Sequence, residues 1–309
     1  MLSKRTVILA KVEDTYGSDP TLTAASNAIE AYDLEVPSIN ADMKERAPGN
    51  SDLSRFPEIR GKTSYDWKLK TLLRGSGTLG TAPRTSPLLQ SAGLGETIVS
   101  GASVTYAPLS SSLKSCTIEA YVDGILMQLL GCVSDLEMDF TAGELPWMSF
   151  AGKGIYTIPT DSAIVDPTFD TTVPQVVKGV TMTFGSYAAI IEKMTLKMGN
   201  KIAERPDFNQ TEGIKGFEIT DRNPEGSITV EAVLRAETNA DFLSYFHSRT
   251  VKALSFVIGA TEGNIATITA PYCYLRPPVV GDREGVRTFE IPFHMGRGSG
   301  NDEIGIALT

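Results

Sequence analysis

Cysteine and histidine are scarce in this 309-residue chain, and their scarcity removes several chemistries at once. The three cysteines, Cys116, Cys132 and Cys273, form an odd set with no CxxC pair. That pattern points to reduced, buried thiols rather than a disulfide framework or a zinc site. The two histidines, His247 and His294, stand apart from any ligand cluster, and neither an HExxH nor a GxSxG sequence occurs. Catalysis needs groups whose roles fit together, so the chain is expected not to be an enzyme. Gly75-Ser76-Gly77 lacks the lysine of a phosphate-cradling loop, and the helix after it opens on proline. No cofactor and no metal are expected. Nor does any apolar run approach the ~20 residues that cross a bilayer, so no membrane partner is expected.

A surplus of positive charge is missing as well. The net charge of −9 argues against tight binding to phosphates, which calls for excess lysine and arginine. An acidic protein can still work beside DNA if its task is not to hold it. With 41% hydrophobic and 21% charged residues, the chain has the makings of a sizeable core, and wholesale disorder is not expected.

What the sequence does have is two-residue alternation. Tyr65, Trp67 and Leu69 alternate with Asp66, Lys68 and Lys70; Leu136, Met138 and Phe140 with Asp135, Glu137 and Asp139. Met194, Leu196 and Met198 alternate with Lys193, Thr195 and Lys197; Phe289, Ile291 and Phe293 with Thr288 and Glu290. Each is the pattern of a half-buried strand, so the fold is read as mainly antiparallel β. Two segments break the alternation, 85–93 and 238–246, and both have the caps and length of short helices.

The elements around those helices come in a similar order in both halves. A strand (29–36 or 191–198) is followed by a long polar loop (44–61 or 204–226), an amphipathic strand, the helix and a closing group of strands. This reads as an internal duplication of plan: a first module at 1–158, a proline-rich linker at 159–178 and a second module at 179–309. Each would be a β-sandwich or barrel with one short helix.

Several stretches resemble one family. Lys11-Val12-Glu13-Asp14-Thr15-Tyr16-Gly17-Ser18-Asp19-Pro20 is similar to the opening strand and turn of the major tail tube proteins of long-tailed, siphovirus-type bacteriophages. Gly75 to Pro83 and Pro87 to Leu94 look like that family's glycine-rich turn and short helix. Val104-Thr105-Tyr106-Ala107-Pro108 and Tyr121-Val122-Asp123-Gly124 fit its next strands, and Gly216 to Ser227 is the longest match. The resemblance implies a major tail tube subunit of the virion, assembled in the host bacterial cytoplasm. Its rings would stack into a hollow, non-contractile tail through which DNA is ejected without specific binding. It also implies the tape measure, tail terminator and distal tail proteins as partners. Other virion proteins of similar composition stay open as alternatives: a decoration protein, a tail terminator or an adhesin-like module.

Under this reading, carboxylates facing a channel would repel the DNA backbone. The expected lumen residues are Asp135, Glu137 and Asp139, with Glu290, Asp33 and Glu35. Family members use a long loop to reach the neighbouring ring, so the expected stacking residues are Arg46, Asp52, Arg55, Glu58 and Arg60 in one loop. Arg205, Asp207, Asp221, Arg222 and Glu225 are their counterparts in the other. With two modules per chain, three chains would close a pseudo-hexameric ring.

Overall fold

A computed structural model describes residues 4–185, 190–232 and 241–309, the side chains of Leu34 and Val36 excepted. The first half runs β1 (Thr6–Val12), α1 (Ala24–Asn27), β2 (Ala28–Ile29), β3 (Tyr32–Lys44), β4 (Ile59–Leu72), α2 (Ser86–Ser91), β5 (Leu94–Val99), β6 (Ser103–Pro108), β7 (Cys116–Val122), β8 (Ile125–Thr141) and β9 (Trp147–Ile155). After β10 (Thr160–Asp161) come β11 (Thr181–Phe184), β12 (Ile191–Lys197), β13 (Asn200–Pro206), β14 (Ile214–Arg222), β15 (Glu225–Glu231), α3 (Phe242–Ser248), β16 (Lys252–Ile258), β17 (Ala266–Leu275), β18 (Val279–Arg283), β19 (Val286–Met295) and β20 (Gly305–Leu308). All strand pairings among the described residues are antiparallel, and the fold is mainly β as expected.

The alternation read from sequence is the alternation of burial. Tyr65, Trp67 and Leu69 on β4, Leu136, Met138 and Phe140 on β8, and Met194 and Leu196 on β12 all lie in one core. Their charged neighbours face out. That core is continuous through both halves: Phe140 of β8 stacks against Phe256 of β16 with ring centroids 4.9 Å apart. The helix expected over 238–246 is present as α3, capped by the Asp241 carboxylate on the Ser244 amide; residues 238–240 lie outside the described residues. A short turn of helix, α1, is an addition in the first half.

The pairings order one sheet as β3–β4–β9–β8–β12–β15–β19–β18. A second series, β11–β16–β17–β20–β6–β5, packs behind it. Both cross from one half to the other, through β8–β12 in the first and through the last strand, β20, in the second. The first half contains the paired series β1–β7–β8 and β3–β4–β9, and the second the series β11–β16–β17 and β12–β15–β19.

One expectation needs correction. Residues 204–226 are not a polar loop: most of them form the antiparallel hairpin β13–β14. Ile202, Ile214, Phe217 and Ile219 sit among its charges and pack on Val133 of β8. The abundance of charge masks the alternation there, because one face of the hairpin is in water. Residues 45–58 between β3 and β4 do form a loop. The linker segment is not free either, since Val177 is buried and its carbonyl accepts from the Gly143 amide at 2.8 Å.

Candidate functional site: a charged sheet face and two open edges

The sheet that crosses the molecule has one face in the core and one outside it. On the outer face β4 contributes Asp66, Lys68 and Lys70, β8 Asp135, Glu137 and Asp139, and β12 Lys193 and Lys197. The cross-strand register sets opposite charges side by side. Lys197 is opposite Glu137, with 3.9 Å between the charged atoms, and Lys153 of β9 is opposite Asp66 at 2.7 Å. At the β3 end Glu35 meets Lys68 at 3.3 Å and Asp33 meets Lys70 at 3.9 Å. The Lys70 ammonium also lies 4.5 Å from the Trp147 ring centroid. Exposed pairs of this kind contribute little stability; their effect is to set the potential of the surface.

The acidic residues expected to share a surface do share one, Glu290 included, since β19 places it next to Thr229 and Val279. They are interleaved with lysines rather than forming an unbroken wall of carboxylate. Among the described residues no ion pair engages Asp139 or Glu290. Asp135 is partly covered: it accepts the Asn200 amide at 2.9 Å, and burial pushes its carboxyl up from the ordinary aspartate range despite that bond. The lysines were visible in the sequence, but strand order was needed to set them against the acids.

The residues expected on two stacking loops fall into four places. Arg46, Asp52, Arg55 and Glu58 sit on the exposed 45–58 tip, where Arg55 is 3.7 Å from Glu45 and Arg46 stacks over Phe56. Arg60 lies at the base of that arm, 3.3 Å from Glu212. Arg205 pairs with Glu218 at 3.6 Å, and Asp207 caps the β13–β14 turn through the Asn209 amide, which holds its carboxyl below the usual range. Asp221 accepts the Arg222 amide. The Arg222 side chain is held within the chain by Glu303 at 3.1 Å and by the Leu109 carbonyl at 2.7 Å. Glu225 pairs with Arg276 at 2.9 Å.

Sequence reasoning missed what holds the hairpin down. The Glu13 carboxylate is buried and accepts four bonds, from Ser115 Oγ at 2.6 Å, Thr117 Oγ1 at 2.8 Å, and the Gly131 and Gly17 amides at 2.7 and 2.8 Å. This fixes the turn carrying Tyr16, whose hydroxyl accepts the Phe217 amide at 2.6 Å and lies 3.0 Å from the Gly131 carbonyl. Only glycine fits at 216, where a Cβ would stand 2.2 Å from the Tyr16 hydroxyl oxygen.

The sheet ends on two open edges. Among the described residues β3 pairs only with β4, and β18 only with β19. A molecule with a charged sheet face, a sheet running through both halves and, among the described residues, an open strand at each end of it has the form of a building block.

The comparison with protein families agrees with that form. A family model described as phage tail tube protein matches residues 3–295, nearly the whole chain. The chain belongs to the phage tail tube protein family. No curated protein sequence matches it. A tail tube protein is structural, resides in the virion tail and assembles with itself and with other tail components.

Proposed function

We propose that copies of this tail tube protein join edge to edge into closed rings, and that the rings stack into the hollow, non-contractile tail through which DNA is ejected. The observation that carries the reading is the β8–β12 junction, where one half of the chain continues the sheet of the other. In the second half β18 takes the position of the C-terminal part of β8, and in the first half β3 takes the position of β12. Pairing β18 of one copy with β3 of the next would repeat the internal junction between chains. Carried over, the register sets Val279 beside Ser38 and Arg283 beside Tyr32. Pro37 and the irregular register of β3 would blunt indiscriminate pairing at that edge. Three copies supply six modules, and head-to-tail contacts of this kind close a ring.

In such a ring the outer face of the sheet lines the channel. Asp33, Glu35, Asp66, Asp135, Glu137, Asp139, Glu225 and Glu290 outnumber the interleaved Lys68, Lys70, Lys153, Lys193 and Lys197 on it. A surface with acidic excess, where Lys68, Lys70, Lys153 and Lys197 are each paired with a carboxylate, offers few phosphate sites, which suits DNA that must pass. The Arg46, Asp52, Arg55 and Glu58 tip is the candidate contact to the next ring. The tape measure, terminator and distal tail proteins would meet the tube at its lumen and ends.

Sedimentation and negative-stain microscopy of the purified protein over rising concentration test the proposal. Rings or tubes are expected to grow at the expense of monomer. Particles that stay monomeric at every concentration and salt would overturn it.

A further inference from the structure

The two halves carry equivalent arms, of which the second is seated on the first half, while the first is tied to the second at its base, by Arg60 on Glu212 and the Thr63 amide on the Glu212 carbonyl, and is exposed farther out. The equivalence follows from register. Cys132 and Cys273 each end the stretch paired with the preceding strand, opposite Cys116 and Lys252. Each thiol points to the carbonyl three residues back, Leu129 at 3.5 Å and Ala270 at 3.3 Å. From there the pairings run through Lys153 to Asp66 to Ser38 in one half, and through His294 to Glu225 to Lys197 in the other. An exchange of bulk supports the match: Trp67 faces Gly152 in the first half, and Gly226 faces Phe293 in the second. Ile39 therefore holds in the first arm the position that Met198 holds in the second.

Their surroundings differ sharply. Met198 is 1% exposed, and its amide bonds the Leu136 carbonyl of the first half at 2.9 Å. Beyond it, β13–β14 lies on β8 and β9, covering Val133 to 4% exposure. Ile39 is 49% exposed, and farther along the same arm Met43 and Ile59 are 48% and 53% exposed. Ile39 and Met43 share one face of β3 and leave an exposed apolar patch there, whereas Ile59, paired with Lys44 next to the Met43–Arg60 pair, lies on the opposite face.

We infer that the β3–β4 arm docks sideways onto the second half of the adjacent copy in the same ring, repeating between chains the seat that β13–β14 takes within one. This rests on the ring reading above and adds a direction to it. The seated arm lies on the half beside it in the sheet, so its counterpart reaches laterally, and only the 45–58 tip remains for the next ring. On the receiving copy the register places Tyr274 where Val133 lies. The nearby Val279, 56% exposed beside the β17–β18 bend, completes the seat.

The test replaces Met43, whose exposure spares the fold, with a photo-cross-linking residue in mixed heavy and light protein assembled into rings. Links are expected between chains, from position 43 to peptides spanning 264–295. Rings whose links fall within one chain, or on residues 4–155 of another, overturn the docking while leaving the ring reading intact. If no rings form, both fall. In parallel, Ile39→Asp is expected to raise the concentration needed for assembly by about tenfold or more with the monomer's melting temperature unchanged. Unaltered assembly contradicts the inference.

Discussion

Glu13 and Tyr16 show how much can depend on residues that alternation does not distinguish. A carboxylate is buried at low cost only when its lone pairs are filled, and Glu13 accepts from two hydroxyls and two amides. It holds the Tyr16 turn, and Tyr16 holds Phe217. Burial pushes the Tyr16 hydroxyl up to about 12, so it stays protonated through the neutral range. Tyr16→Phe leaves the Phe217 amide without its partner and is expected to cost ~1–3 kcal/mol, read from chemical denaturation; an unchanged midpoint contradicts it. Asp135 is a residue whose charge works against folding. Its pKa is raised in the folded state, so its stabilising share is present below the ordinary aspartate pKa of about 3.9 and is lost as pH rises through the folded value. Asp135→Asn should therefore melt higher than the parent at pH 7, with the difference shrinking toward pH 3. A constant difference across calorimetric scans would contradict this.

At the scale of elements, the strands were the most legible part of the sequence. Tyr65, Trp67 and Leu69, or Leu136, Met138 and Phe140, alternate because one face of a two-layer fold is core and the other is water. The hairpin β13–β14 escaped because Ile214, Phe217 and Ile219 are set among Lys215, Glu218 and Asp221, and the surface it covers comes from the other half of the chain. Interleaved lysines escaped for a related reason: periodicity gives the face of a strand but not the neighbour across it. The shared outer face of Asp135, Glu137 and Asp139 was readable; the company of Lys153 and Lys197 was not. Phe217 anchors the arm at 2% exposure, so Phe217→Ala should cost ~3–5 kcal/mol if the arm is cooperative with the core. If it opens alone, hydrogen exchange will quicken in 200–222 while β4 and β9 stay protected. Uniform acceleration across all strands would show that the arm is not a separate unit.

For the whole molecule, the proposed duplication and the shared core lead to the same geometry. The two halves of the chain are joined within one sheet through β8 and β12. The equivalent edges, β18 and β3, face outward at its two ends. Electron cryomicroscopy of the assembled protein, averaged without imposed symmetry, tests this most directly. Rings of three chains, with six similar modules and β18 of each copy against β3 of the next, are the predicted result. Six chains per ring, or a ring closed through any other pair of strands, would contradict it.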